Sequence, residues 1–183
     1  MPKEIEMKVI GIDRREVLGR LKELGARYIG DYRFKRLVAT IDDRPGSMKY
    51  VRLRSDGKVH TLTLKQRGKK GTDPDEFEVK VSDFKEAARI LSRIFVHLLY
   101  IESKREEYSL WSTQITIDKL PQIPHYIEIE GKSRRQILRV YRKLMTSGKP
   151  FGNVPSSAVY EHYGLDYKKV GNIVGTKLRR ILE

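Results

Sequence analysis

Short segments in which charged and apolar residues alternate recur along most of this chain, and they restrict its fold more than any other feature. In the first of them, residues 4–9 (EIEMKV), every charged side chain falls on one face and every apolar side chain on the other. This period of two is the period of a β-strand. Further strands are predicted, on the same pattern and on the turn signals between segments, at about 31–41, 49–55, 59–67, 75–81, 97–110, 113–119 and 125–130.

Helical spacing is confined to a few segments between these strands. Asp13 and Ser133 can each cap a helix, because Glu16 and Gln136 stand at the capping-box position three residues further on. The glycines that follow mark where these two helices end. Helices are predicted at about 13–25, 83–94 and 133–148, with a short helical turn at 155–163 and a final helix at the C-terminus.

Length and composition describe one globular domain. A chain of 183 residues can bury one sizeable core but is short for two, and it shows no repeat or low-complexity linker. Strands mixed with helices predict a single domain of α+β type over residues 1–183. No apolar run reaches the roughly 18 to 20 residues that cross a bilayer, and the start lacks the apolar part of a signal peptide. No membrane association and a cytoplasmic location are therefore expected. The absence of cysteine excludes disulfides and thiolate metal sites.

The net charge of +14 is concentrated at the C-terminal end. Residues 1–130 contain 26 Lys and Arg against 21 Asp and Glu, whereas residues 131–183 contain 12 against 3. Such a basic segment suits nucleic acid, but the chain has no zinc-ligand spacing and no RNA-binding signature. A solvated, basic and largely helical C-terminal part is the favoured interpretation, and nucleic-acid binding is the weaker one.

The charged faces of the predicted strands allow two interpretations. In the first, an open sheet turns its polar face to water. In the second, the long sheet curls or closes to avoid open edges, which turns the charged face inward. Charges in such a place are costly unless they are paired or hold a ligand. The mixture of signs favours the second, because carboxylates hold divalent cations while Lys and Arg hold phosphate oxygens.

Six short motifs occur in order between residues 4 and 130. They are EIEMK at 4–8, VRLR at 51–54, LTLK at 62–65, EFE at 76–78, Arg105 with Tyr108, and Asp118 followed by EIE at 128–130. In this order they resemble the motifs of the CYTH superfamily, the triphosphate tunnel metalloenzymes. That superfamily includes class IV adenylyl cyclases, thiamine triphosphatases and inorganic triphosphatases.

The resemblance implies a closed eight-stranded antiparallel β-barrel with helices packed outside, a triphosphate bound inside and Mg²⁺ or Mn²⁺ as cofactor. Residues 1–130 would supply most of the tunnel strands. The implied metal ligands are Glu4, Glu6, Glu128, Glu130 and Asp118. The implied phosphate-binding residues are Lys8, Arg52, Arg54, Lys65 and Arg105, with Glu76 and Glu78 in support. The residues expected to act in catalysis are Glu4, Glu6 and Lys8.

The predicted function is metal-dependent hydrolysis of a triphosphate small molecule. Hydrolysis is preferred because attack by water requires less of the binding site than steering a ribose hydroxyl, and no adenine pocket is identifiable. The alternative is a class IV adenylyl cyclase that converts ATP to cyclic AMP and pyrophosphate. A second alternative is a non-catalytic binder of polyphosphate or nucleic acid, against which the many carboxylates argue. A homodimer is left open.

One departure from the family pattern concerns a lysine. The family often has Lys two residues before the arginine of the late strand, where this chain has Ser103. Lys104 is adjacent but has the opposite parity, so it should project from the other face of the strand. One phosphate contact of the family is therefore not carried over to this chain.

Overall fold

The computed structural model describes residues 5–42, 44, 48–66, 75–144, 147–171 and 182. The strands are β1 (Ile5–Ile10), β2 (Arg27–Asp42), β3 (Lys49–Ser55), β4 (His60–Gln66), β5 (Asp75–Val81), β6 (Leu99–Leu110), β7 (Thr113–Lys119), β8 (Tyr126–Gly131) and β9 (Lys149–Gly152). The helices are α1 (Arg14–Glu23), α2 (Phe84–Ile94), α3 (Arg134–Leu144) and α4 (Ser156–His162), with a further helical segment at 167–171. The predicted α+β class is confirmed. The predicted final helix falls mostly on 172–181, outside the described residues.

The strands form a large antiparallel sheet in the order β5-β4-β3-β2-β6-β7-β8-β1-β9. This differs from the expected closed barrel of eight strands, because nine strands take part and the described residues include no pairing between β5 and β9. The unpredicted strand is β9, which pairs with β1 and places Pro150 opposite Val9. Proline lacks the N–H that a central strand needs, so it is tolerated on an end strand such as this one.

The chain consists of two compact units. The first consists of Met1–Tyr32 and Ser103–Tyr167, and the second of Arg33–Glu102 and Lys168–Glu183. Each unit has its own apolar core. In the described part of the chain, no helix combines the length and the apolar character that crossing a bilayer requires.

In the first unit, α1 and α3 cover the apolar faces of β1, β7 and β8. Their shared core consists of Val9, Val17, Leu21, Leu110, Ile115, Ile117, Ile127, Ile129, Ile137, Val140 and Leu144. Both predicted caps are confirmed, since Asp13 Oδ1 accepts a hydrogen bond from the N–H of Arg15 at 2.7 Å and Ser133 Oγ accepts one from Gln136 at 3.2 Å. Because side chains alternate across a strand, the charged residues of these strands must project from the uncovered face.

In the second unit, α2 packs against the sheet through Phe84, Ala88 and Leu91. The core around them includes Leu37, Leu53 and Tyr100. On β4 the polar face is the better buried one, since Thr61 is 7% and Thr63 0% exposed. That burial favours a polar face that is withdrawn from water over an open one.

Candidate functional site

Neighbouring strands of the first unit bring the charged residues of the sequence motifs into adjacent register positions. The rows that run across β6, β7, β8 and β1 are Arg105–Asp118–Tyr126, Glu107–Thr116–Glu128–Lys8 and Ser109–Gln114–Glu130–Glu6. All of these side chains share the face opposite α1 and α3, because their strand neighbours of the other parity form the apolar core. The second row places Lys8 of β1 directly beside Glu128, which lies 120 positions later in the chain.

Five of these side chains form a continuous ion network, which consists of Glu6, Lys8, Arg105, Asp118 and Glu128. The Lys8 Nζ atom lies 3.0 Å from Glu128 Oε1 and 3.1 Å from Glu6 Oε1. The other Glu128 oxygen, Oε2, lies 2.6 Å from Arg105 Nη2. Arg105 also donates two parallel hydrogen bonds to Asp118, at 2.7 and 2.9 Å. Glu128 therefore joins the lysine to the arginine–aspartate pair.

Burial distinguishes this network from an ordinary surface ion pair. The side chains of Lys8 and Asp118 are 4% and 3% exposed, and that of Glu128 is 16% exposed. Removing charges from water costs several kcal/mol per ion, so even a well-paired buried network adds little net stability. Stability alone therefore does not account for charged side chains in this position. The sheet is not closed among the described residues, but Lys8 and Asp118 of its charged face are withdrawn from water.

The charge of each cation is maintained by its carboxylates. Burial disfavours the ammonium of Lys8, but Glu128 and Glu6 outweigh this effect and raise its pKa. Burial likewise opposes the charge of Arg105, and Asp118 with Glu128 raises its pKa despite this. Both side chains are therefore positively charged at neutral pH.

The two buried carboxyl groups shift in opposite directions. Burial raises the pKa of Asp118, and the neighbouring charge of Glu128 adds to this rise against the opposing effect of Arg105. Burial also acts to raise the pKa of Glu128, but Arg105 and Lys8 together overcome it and lower that pKa. Glu128 is thus the carboxylate that the two cations stabilise most.

Replacing Glu128 with glutamine should therefore reduce stability in a pH-dependent way. A lowered native pKa stabilises the fold above the ordinary value of 4.5, and this contribution disappears as the pH falls through the native pKa. We expect the free energy of unfolding of Glu128→Gln to lie below that of the wild type at neutral pH and to converge with it in acid. Urea unfolding from neutral pH to well below 4.5 measures this difference. A constant difference across that range would contradict the assignment.

Two residues that the sequence analysis did not select also belong to this face. Thr116 Oγ1 donates a hydrogen bond to Asp118 Oδ2 at 2.8 Å. Tyr126 is 2% exposed, and burial raises its pKa well above the usual value, with further contributions from Asp118 and Glu128. Both share the parity of the charged residues on their strands. Extending the period-two argument from charged to uncharged polar residues would have identified them.

The second unit carries a separate group of predicted site residues on β3, β4 and β5. Glu76 lies 3.2 Å from Lys65 Nζ and 3.4 Å from an Arg52 nitrogen. Glu78 accepts a hydrogen bond from Thr63 Oγ1 at 2.7 Å. Glu76 and Glu78 thus each contact a side chain of the neighbouring strand β4, and their supporting role stays a prediction.

The remaining predicted residues differ in position. Arg54 places its guanidinium 5.5 Å from the ring centroid of Phe34. Glu130 stands directly opposite Glu6 in the β1–β8 register. Glu4 lies outside the described residues, so its predicted role stays a prediction.

The first unit supplies carboxylate oxygens, which are the ligand type that a hard divalent cation prefers. Oxygens of Glu6 and Glu128 converge on one positive charge, the Lys8 ammonium, at about 3 Å. Glu6 and Glu130 stand directly opposite each other in the register of β1 and β8. Within the described ranges, no three acidic or histidine side chains form a complete metal cage. Mg²⁺ does not need one, because it is typically held by one or two carboxylates, waters and substrate phosphates.

Solved structures of other proteins share this fold. The PH1012 protein of Pyrococcus horikoshii OT3 has a TM-score of 0.62 and 19% identity, over 78% of this chain and 90% of its own. HpAC1 of Hippeastrum, a candidate adenylyl cyclase with a dominant triphosphatase activity, has a TM-score of 0.56 and 14% identity, over 88% of this chain and 96% of its own. A candidate adenylate cyclase of Vibrio parahaemolyticus has a TM-score of 0.52 and 14% identity, over 89% of each chain.

Family membership follows from the sequence itself. No curated protein matches the chain. The sequence profile of the CYTH domain, however, matches residues 3–157, a range that contains every motif on which the resemblance rests. Since the match covers most of the chain, this protein belongs to the CYTH domain family.

Proposed function

We propose that this protein is a divalent-metal-dependent phosphohydrolase that acts on a triphosphate. The observation that carries the proposal is the buried ion network of the first unit, in which carboxylates and cations alternate. A site for a plain polyanion would contain cations alone, because carboxylates repel phosphate. A site for a metal–triphosphate needs both signs, since the metal binds carboxylates while Lys and Arg bind phosphate oxygens.

The two cations of the network retain donors for a phosphate. Lys8 has three N–H groups and uses two on Glu6 and Glu128. Arg105 bonds Asp118 and Glu128 through Nε and Nη2, and among the described residues its Nη1 makes no hydrogen bond. Phosphate oxygens are bound by these spare donors. Arg52, Arg54 and Lys65 stay predicted phosphate-binding residues.

Glu6, Glu128 and Glu130 are the described residues that would hold the metal, with Asp118 in support through Arg105. The bound metal supplies neutralisation of charge that develops on the phosphate oxygens. Lys8 and Arg105 contribute in the same way, because both stay charged and are held in place before substrate arrives. Thr116 and Asp118 fix the orientation of Arg105, so it need not reorganise during the reaction.

Hydrolysis joins a water oxygen to the terminal phosphorus and breaks the bond to the bridging oxygen, which leaves with the diphosphate. The proton of the attacking water passes to a carboxylate. Glu6 is assigned this role because its side chain is 35% exposed and can meet both water and substrate. Phosphoryl transfer depends mainly on positioning and on neutralisation of charge, which this set of side chains supplies.

Hydrolysis is preferred to cyclisation. HpAC1, which has the same fold, has a dominant triphosphatase activity although it is a candidate adenylyl cyclase. Cyclisation also requires a base pocket that orients the ribose hydroxyl, and the motifs of this chain identify none. Cyclic AMP formation is therefore the alternative that the assay has to distinguish.

An assay of three substrates tests the proposal. Purified protein is incubated with Mg²⁺ or Mn²⁺ and with ATP, thiamine triphosphate or tripolyphosphate, and phosphate, pyrophosphate and cyclic AMP are measured. We expect metal-dependent release of phosphate from at least one substrate. Formation of cyclic AMP together with pyrophosphate would show that the reaction is cyclisation and not hydrolysis. No turnover, combined with tight and salt-sensitive RNA binding, would overturn the assignment to an enzyme.

A further inference from the structure

A cleft of about 280 Å³ lies in the first unit on the sheet face opposite the ion network. This cationic cleft is lined by Arg14, Lys104, Glu106, Ile117, Lys119 and His125. Lys104 and Glu106 alternate along β6 with Arg105 of the ion network, and therefore project from the other face. Lys104 stands one residue after the position at which the family often has a lysine. It therefore projects from the other face of β6, into this cleft.

Two lysines stand directly opposite each other in the cleft. Lys104 of β6 and Lys119 of β7 are paired in the antiparallel register. Like charges in directly opposed positions are destabilising, and an anion bound between them would relieve the repulsion. The side-chain Nζ of Lys119 donates a hydrogen bond to the carbonyl oxygen of Ile123. The side-chain Nζ of Lys104 has no hydrogen-bond partner among the described residues.

The acid of the cleft does not neutralise these lysines. Glu106 accepts two hydrogen bonds from Arg14, at 2.9 Å from Nε and 2.9 Å from Nη2. The carboxylate is thus matched by the guanidinium, which leaves the two ammonium groups in excess. Burial lowers the pKa of His125, and the positive charges of Lys119 and Arg14 lower it further.

We propose that the cationic cleft is a second anion-binding site, separate from the ion network, which takes a single phosphate group. Its volume suits inorganic phosphate or a small phosphate ester and is below that of most drug-sized ligand pockets. Lys104 and Lys119 bind the oxygens of the phosphate, and the N–H of His125 donates to it. The inference does not depend on the proposed triphosphatase activity.

The test is an NMR titration of His125, whose ring resonance is assigned by its loss in His125→Asn. Inorganic phosphate and glycerol phosphate are added separately at an ionic strength held constant with NaCl. We expect a saturable rise of about one unit in the pKa of His125, because an opposite charge within hydrogen-bond reach favours the imidazolium. The arm with the tighter binding identifies the source of the phosphate group.

Matched variants decide where the phosphate binds. Lys104→Ala should weaken phosphate binding by about tenfold, the effect of one lost charge-assisted hydrogen bond. Lys58→Ala removes an exposed lysine of the second unit and should leave the titration unchanged. Glu6→Ala, which alters only the ion network, should also leave it unchanged. The proposal would be overturned if phosphate shifted the pKa of His125 no more than NaCl does. It would also be overturned if Lys104→Ala bound phosphate as tightly as the wild type.

Discussion

Replacing Arg105 with alanine should lower the free energy of unfolding by about 3–5 kcal/mol, the cost of leaving a buried charge without its partner. Arg105 holds Asp118 through two hydrogen bonds and Glu128 through one. The Asp118 side chain is only 3% exposed, so its charge is compensated by Arg105 rather than by bulk water. Urea unfolding of the variant and the wild type at neutral pH measures the difference.

The exposed pair of Arg44 with Asp42 is the matched control. Its shortest separation, 2.7 Å, equals that of the Arg105–Asp118 pair, but the Arg44 side chain is 80% exposed. Arg44→Ala should produce no measurable change, because solvent screens an exposed pair. Arg105→Lys should lie between Arg105→Ala and the wild type, since it retains the charge but not the two parallel bonds. Equal losses in Arg105→Ala and Arg44→Ala would refute the account of the network.

Replacing Glu6 with alanine should reduce metal-dependent triphosphate turnover by about 100-fold or more, the usual effect of removing one group that stabilises the transition state. The fold should persist, because Glu6 is the most exposed member of the ion network and Lys8 retains Glu128 as its partner. Steady-state release of phosphate at saturating Mg²⁺ or Mn²⁺ measures turnover, and urea unfolding verifies the fold.

A carboxylate outside the network provides the control for Glu6. Glu23 of α1 is 63% exposed, and its one ion pair with a described residue is to Arg20, three residues away in the same helix. Glu23→Ala removes the same charge from the same unit and should leave turnover unchanged. Normal turnover in Glu6→Ala would refute the assignment of the site, whatever the substrate is.

Element types were predictable because they are local properties of the chain. The alternation at 49–55, 75–81 and 113–119 gave strands with those bounds, since the period of two depends only on which neighbours are apolar. β9 was missed because its four residues, KPFG, carry no alternation and include a proline. Its strand geometry comes from pairing with β1, a contact that joins positions about 140 residues apart.

The strand face on which each candidate residue lies was predictable to a similar extent. The alternation of side chains along a strand predicted that Lys8, Asp118 and Glu128 lie on the charged faces of their strands. The register confirms that these three faces lie on the same side of the sheet. Parity also excluded Lys104 from that face, which the cationic cleft confirms. What parity could not predict was the pairing, in which Glu128 serves both Lys8 and Arg105.

The sequence by itself determined the alternation of charged and apolar side chains, and with it the strands, their faces and membership of the CYTH family. Only the tertiary structure decided which charges meet, because register between strands far apart in the chain is set by the packing of α1 and α3 on the apolar face. It also decided that Lys8 and Asp118 are buried rather than solvated. Burial turns a charged strand face into a candidate binding site, since buried charges require partners or a ligand.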